Sequence, residues 1–149
     1  MLSLTRGFRT GATSYVLPDD ILPNVEYLAP VIDDVELVLF ETDEYGSNLP
    51  DASLRRHLRA LAEAHDITYT VHLPLDLRLG DIEGEEDVSL TKARRVIEAT
   101  RELNPFAYVL HLDGRALLGV PSQEVVASWQ ERSTRALATV SEWLVDPSL

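Results

Sequence analysis

Four short β-branched or aromatic segments alternate without exception with four amphipathic ones along this 149-residue chain. The predicted strands are 11–16, 35–41, 107–112 and the stretch 68–75, in which the strand ends at His72 and a proline follows. The predicted helices follow them at about 18–30, 51–64, 89–103 and 122–144. Because strands joined through helices pair in parallel, the pattern predicts an α/β fold with one parallel sheet.

Three of the predicted strands carry a residue able to do chemistry at or next to their last position, namely Glu41, His72 and His111. Active sites of parallel α/β proteins lie at the carboxyl ends of their strands. Since residues two apart share one face of a strand, a common register would set two layers beneath these three side chains. The upper layer would be Leu39, Thr70 and Val109, and the lower one Leu37, Thr68 and Ala107.

Two imidazoles and a carboxylate are a ligand set that suits Zn²⁺, Mn²⁺ or Fe²⁺. A single strand-end histidine more often hydrogen-bonds a loop, but two of them with an acid on consecutive strands favour a functional site. Tyr15 from the first strand and Asp113 just beyond the fourth are further candidates for substrate contacts. Arg78 follows the third strand and suits a phosphate or carboxylate clamp, with a surface ion pair as the alternative.

Charge and composition exclude several classes of protein. The 25 acids outnumber the 13 Lys and Arg residues, giving a net charge of -12 that disfavours nucleic-acid binding. Cysteine is absent, which excludes disulfides and thiolate nucleophiles, and no G-x-G-x-x-G, P-loop or G-x-S-x-G motif occurs. No signal peptide or membrane-length apolar run is visible, so we expect a single-domain cytoplasmic protein.

Several segments resemble the cobamide-remodelling phosphodiesterases. They are 13–18, 38–41, 69–80 and 104–112, and the His-Leu-Pro sequence at 72–74 is the most specific of them. That family belongs to the xylose-isomerase-like TIM barrels, which also include sugar-phosphate isomerases and repair enzymes of the endonuclease IV type. The resemblance therefore implies that residues 1–149 form the (βα)4 N-terminal half of a TIM (β/α)8 barrel, ending before the fifth strand.

The activity that the resemblance implies is hydrolysis of the nucleotide-loop phosphodiester of a cobamide, a vitamin B12-type corrinoid. Such hydrolysis would release a cobinamide phosphate and a ribazole, with the corrinoid as substrate rather than cofactor. His72 and His111 match metal ligands at the ends of strands three and four in that superfamily, and Glu41 matches an acid on strand two. Further ligands would come from strands five to eight of the family, which this sequence does not contain.

Two other readings remain open at this stage. A sugar-phosphate isomerase or epimerase of the same superfamily would use a metal to polarise a carbonyl and a carboxylate to move a proton. A half-barrel that binds a ligand or a partner without catalysis is the second. A closed barrel needs eight βα units, and this chain supplies four. We therefore expect two sheet edges and one apolar sheet face to remain uncovered. On this ground the chain is predicted to form a homodimer, to aggregate, or to need a complementary C-terminal half.

Overall fold

The computed structural model describes residues 7–42, 46–81 and 85–145, and the segment 1–6, on which the absence of a signal peptide was judged, lies outside them. The four helices are α1 Ile21–Leu28, α2 Ala52–His65, α3 Glu85–Thr100 and α4 Gln123–Val145. The strands are β1 Gly11–Thr13, β2 Asp34–Val38, β3 Glu41–Thr42, β4 Gly46–Ser47, β5 Thr68–His72 and β6 Ala107–Val109. No helix in these ranges is long and apolar enough to cross a membrane.

Four of the strands form one parallel sheet in the order β1-β2-β5-β6, as the sequence predicts. Each of the four is followed by a helix before the next strand of the same sheet begins, which is the arrangement of half a TIM barrel. The fold class inferred from the alternating segments is therefore confirmed. The antiparallel pair β3-β4 is an addition that the sequence did not predict.

The chain divides into two compact units. The first comprises Met1–Val38, Pro50–His72 and Thr100–Val109, and it contains the parallel sheet with α1 and α2. The second comprises Leu39–Leu49, Leu73–Ala99 and Leu110–Leu149, and it contains the β3-β4 pair, nearly all of α3, and α4.

The two faces of the sheet in the first unit differ sharply in burial. Val35, Leu37, Tyr69 and Val71 are at most 1% exposed, and the Tyr69 hydroxyl donates a 2.7 Å hydrogen bond to the Leu58 carbonyl of α2. Alternate residues on the other face are half-buried and mostly polar: Asp34, Glu36, Thr68, Thr70 and His72. The expectation that an apolar face stays uncovered is therefore wrong, because the apolar residues of β2 and β5 are the buried ones.

The register of the sheet also corrects the predicted layers. Thr70 pairs with Glu36 on one side and Ala107 on the other, not with Leu39 and Val109. Since β2 ends at Val38, Leu39 lies beyond the sheet and is buried in the second unit.

A local cap signal accounts for the start of α2 but not for the start of α1. The predicted start of α2 near residue 51 is confirmed, and Asp51 caps the helix, its side chain accepting a 2.7 Å hydrogen bond from the Leu54 amide. At the start of α1 the N-cap Asp20 makes no such bond. The fully buried Asn24 instead fixes the segment before the helix: its Oδ1 accepts from the Leu17 amide at 2.7 Å, and its Nδ2 donates to the carbonyls of Asp19 and Asp20.

The third helix begins four residues earlier than predicted. Ser89 was expected to cap it, but α3 starts at Glu85, and the Ser89 hydroxyl instead accepts a 2.7 Å hydrogen bond from the Arg78 amide. The first three residues of this helix are the last three of the acidic run at 81–87, and acidic residues are favourable in the first turn of a helix. Residues 82–84 of that run lie outside the described residues. At its other end α3 stops at Thr100, and a 3-10 turn spans Arg101–Leu103.

Candidate functional site

The carboxyl end of the parallel sheet is formed by a row of paired residues. Val38, His72 and Val109 are register partners, and His72 is the last residue of β5, as predicted. Its side chain is half-buried and lies on the polar face with Thr70. His72 therefore occupies the position where parallel α/β proteins place their chemistry.

Ser14 closes the same end of the sheet next to β1. It is fully buried, its amide donates to the Glu36 carbonyl at 2.8 Å, and its hydroxyl accepts from the Val38 amide at 3.2 Å. These two bonds extend the pairing of β1 and β2 by one step beyond Thr13. The predicted contact residue Tyr15 follows directly and is 51% exposed.

Glu41 does not end β2 as predicted but begins β3 in the second unit. Its Oε1 lies 2.9 Å from Nη1 of Arg95 in α3. Its Oε2 is buried and has no hydrogen-bond partner within the described part of the chain. A hydrogen bond from the Ser47 side chain, and then the Arg95 guanidinium, lower the pKa of Glu41 below its ordinary value of 4.5 against the opposing effect of partial burial. Glu41 is thus an oriented, ionised carboxylate whose buried Oε2 has no hydrogen-bond partner among the described residues.

His111 lies two residues beyond the end of β6 and is exposed, in the second unit. Asp113 follows it in a turn that occupies both of its carboxylate oxygens. Oδ1 accepts from the Arg115 amide at 2.9 Å, and Oδ2 lies 2.8 Å from the Arg115 Nε. The Asp113 carbonyl accepts a 3.2 Å hydrogen bond from the indole of Trp129. These contacts give Asp113 a role in fixing its loop.

Arg78 is half-buried in the loop after β5, within the second unit. Its amide is fixed by Ser89, and in the same loop Asp76 forms a 2.6 Å ion pair with Lys92 of α3. The loop that carries Arg78 is therefore attached to α3 at two points.

The described residues do not form a complete set of metal ligands. Across the ranges 7–42, 46–81 and 85–145, no group of three or more His, Asp or Glu side chains is arranged to hold a metal ion. The predicted ring of Glu41, His72 and His111 therefore stays a prediction.

Two groups of residues at or near the site were not identified from the sequence. Arg95 is 54 positions from Glu41, and nothing in the spacing links the two. Asp34 and Glu36 line the polar face of the sheet, and the alternation of Val35 and Leu37 with these acids was the signal for it.

Comparisons with solved structures support the fold. The chain resembles a D-tagatose 3-epimerase-like protein with a TM-score of 0.69 and 19% sequence identity, over 91% of this chain and 48% of that one. It also resembles a structure described as AsfvAP:AG, with a TM-score of 0.53 and 11% identity, over 84% of this chain and 43% of the other. The chain thus spans about half the length of these structures. No protein-family model and no curated protein matches the sequence.

Proposed function

We propose that this chain supplies the first four βα units of an enzyme that hydrolyses the nucleotide-loop phosphodiester of a cobamide. The observation that carries the proposal is the His-Leu-Pro segment at 72–74, because its histidine ends β5 at the carboxyl edge of a half-barrel sheet. Active sites of TIM barrels lie at this edge. The resemblance of segments 13–18, 38–41, 69–80 and 104–112 to cobamide phosphodiesterases supplies the substrate class.

In this proposal Glu41 is the acceptor for a proton or for a hydrogen bond from the attacking water. Arg95 and Ser47 hold its carboxylate ionised and oriented, and Oε2 is left with bonding capacity. A positioned carboxylate that takes a proton in the transition state contributes about 100- to 10,000-fold to a rate. His72 and His111 would act with it at the reacting phosphodiester.

Three further residues have proposed roles in binding. The guanidinium of Arg78 would clamp a phosphate oxygen, which suits its forked donor geometry. Tyr15 presents an exposed ring to a large planar substrate such as a corrin. Asp113 would contribute by holding the loop after His111, since Arg115 already engages both of its oxygens.

A divalent zinc, manganese or iron ion belongs to the proposal only through the resemblance. Such an ion would serve as a Lewis acid on the phosphoryl oxygen. The described residues gather no complete ligand set for it, and in the resemblance the remaining ligands come from strands five to eight. The roles given to Glu41 and Arg78 do not depend on the ion.

A second candidate is epimerisation or isomerisation of a sugar or sugar phosphate. It is favoured by the fold comparison, since one similar structure is described as D-tagatose 3-epimerase-like. Fold alone does not separate the two chemistries, because one barrel architecture hosts many reactions. In the epimerase the carboxylate would move a proton next to a carbonyl, whereas in the phosphodiesterase it would act on water.

Substitution of the two histidines tests the proposal. His72→Ala and His111→Ala are expected to lower cobamide hydrolysis about 100-fold or more while leaving the fold intact. The matched control is Leu37→Ala on the buried face of the same sheet, expected to cost about 2–5 kcal/mol of stability and to affect activity only through unfolding. Both histidine variants retaining wild-type turnover would rule out a catalytic role for these side chains.

A further inference from the structure

The polar face of the sheet in the first unit carries two carboxylates beside a cavity of about 300 Å³. The residues that line this cavity are Gly11, Ala12, Thr13, Asp34, Glu36 and Thr70. Asp34 accepts a hydrogen bond from the Thr68 hydroxyl. The side chain of Glu36 has no hydrogen-bond or ion-pair partner in the part of the chain that the structure describes. This face, which we call the acidic face, therefore holds one carboxylate that is bonded to a neighbouring hydroxyl and one that has no partner among the described residues.

A nearby cation forms no ion pair with these acids, although it shares a hydrogen-bond partner with one of them. Arg9 precedes β1, and its guanidinium donates to the Asp33 carbonyl and, at 3.2 Å, to the Thr68 hydroxyl. No ion pair joins it to Asp34 or Glu36. The acidic face is hence prepared for a positively charged partner rather than for an apolar one.

The topology of the sheet indicates the shape of that partner. β1 and β6 are the edge strands, each with one neighbour, and an unpaired edge is a template for another strand. The chain spans 48% of the D-tagatose 3-epimerase-like protein that shares its fold. A further four-stranded half that pairs with both edges would close the sheet and cover the acidic face.

A second copy of this chain has the right number of strands but the wrong charge. Two copies related by a twofold axis would direct four carboxylates, Asp34 and Glu36 of each, into one enclosed interior. Like charges removed from water are strongly unfavourable without cationic partners. The number of strands does not distinguish a second copy of this chain from a half with a different sequence. The charge of the inner face does, and it disfavours the second copy.

We propose that the acidic face is the docking surface for a second four-stranded βα half whose inner face carries Lys or Arg side chains opposite Asp34 and Glu36. That half is different in sequence from this chain, whether it is joined to it or separate from it. Its cations complete the hydrogen bonding of Glu36, and its strands pair with β1 and β6. The docking depends on charge at the inner face and is independent of which reaction the barrel performs.

A charge-reversed copy of the chain serves as the probe. The double variant Asp34→Lys, Glu36→Lys has the same strands but a basic inner face, so it mimics the proposed half. In sedimentation experiments, the wild type and the variant are each expected to stay at 16.6 kDa, and their mixture is expected to form a species of twice that mass. The mixture should associate roughly tenfold or more tightly than either alone, and less so as salt is raised.

The control is a double variant with the same change of charge elsewhere, Glu26→Lys, Glu63→Lys, on exposed positions of α1 and α2. It is expected not to associate with the wild type. A wild-type dimer at neutral pH that is lost in the Asp34→Lys, Glu36→Lys variant would overturn the proposal by making a second copy the occupant. A mixture of wild type and charge-reversed variant that stays monomeric, with both proteins folded by circular dichroism, would also overturn the proposal. So would a control variant that associates with the wild type as tightly as the charge-reversed variant does.

If the charge-reversed variant does not fold, a neutral variant tests whether these carboxylates select the partner. Asp34→Asn, Glu36→Gln removes the like-charge repulsion and keeps the hydrogen-bonding groups. It is expected to self-associate where the wild type does not. A neutral variant that remains monomeric would refute the role of these carboxylates in selecting the partner.

Discussion

Gly80 provides a quantitative test of how the second unit is packed. A Cβ atom at this position would lie 2.3 Å from the Trp129 Nε1 and 2.3 Å from the Ser133 Oγ of α4, which no real side chain tolerates. The carbonyl of Gly80 also accepts a 3.0 Å hydrogen bond from the Nε of Arg132. Gly80→Ala therefore forces α4 and the loop after β5 apart.

The cost of that displacement has two sources. Overpacking a well-packed site costs about 1–3 kcal/mol. Moving Trp129 also breaks its hydrogen bond to the Asp113 carbonyl, which contributes a further ~0.5–1.5 kcal/mol. A loss of about 2–4 kcal/mol corresponds to a melting temperature lowered by roughly 5–15 °C in a chain of this length.

Urea and thermal unfolding followed by circular dichroism measure this loss. The control is Gly114→Ala, since a Cβ there has nothing within 4 Å and the backbone φ is -97°. We expect the control to lie within about 1 kcal/mol of the wild type. A Gly80→Ala protein as stable as the wild type would refute the close approach of this loop to α4.

Two further predictions concern single side chains. Tyr69→Phe removes the hydroxyl that donates to the buried Leu58 carbonyl, and burial also raises the pKa of this phenol. We expect it to lose about 0.5–1.5 kcal/mol in urea unfolding, and an unchanged midpoint would show that the bond contributes nothing. Glu41 has a folded-state pKa below its ordinary value of 4.5, so its ionised form stabilises the fold above that pH, and the gain is lost as the pH falls through the lowered value. The difference in melting temperature between wild type and Glu41→Gln is therefore expected to be largest near neutral pH and to vanish in acid; a difference that grows in acid would contradict this.

The sequence predicted the parallel sheet because its signals are local. Each predicted strand is a short segment containing β-branched or aromatic residues, each is followed by a helical pattern, and the cap of α2 is encoded by Asp51 alone. The end of β5 at His72 was predictable for the same reason, since a proline follows two residues later.

The place of Glu41 was not predictable from local signals. The run from Val35 to Phe40 is apolar at nearly every position, so it does not reveal where the strand ends. In the structure the Phe40 amide donates to the side chain of Asn48 at 2.7 Å, and the Asn48 amide donates back to the Phe40 carbonyl at 3.3 Å. This exchange with a residue eight positions away ends the strand and starts the β3-β4 pair.

The same apolar run concealed the acidic face. Assigning Leu37 and Leu39 to the face shared with Thr70 moved every side chain of β2 to the wrong side, because a shift of one residue reverses the faces of a strand. Glu36 was the one charged residue within the run and marks the correct alternation. Contacts such as Glu41 with Arg95 depend on the tertiary fold, and no spacing in the sequence encodes them.

Product analysis tests the central claim of cobamide hydrolysis most directly. Adenosylcobalamin would be incubated with the 149-residue chain, and with the full-length polypeptide where the reading frame continues, and the mixture separated by liquid chromatography with mass detection. We predict accumulation of a cobinamide phosphate and a ribazole in equal amounts, and loss of both products in His72→Ala. The proposal would be contradicted if the folded protein left the cobamide intact. If the same protein interconverted ketohexose epimers, the epimerase would be established in place of the phosphodiesterase.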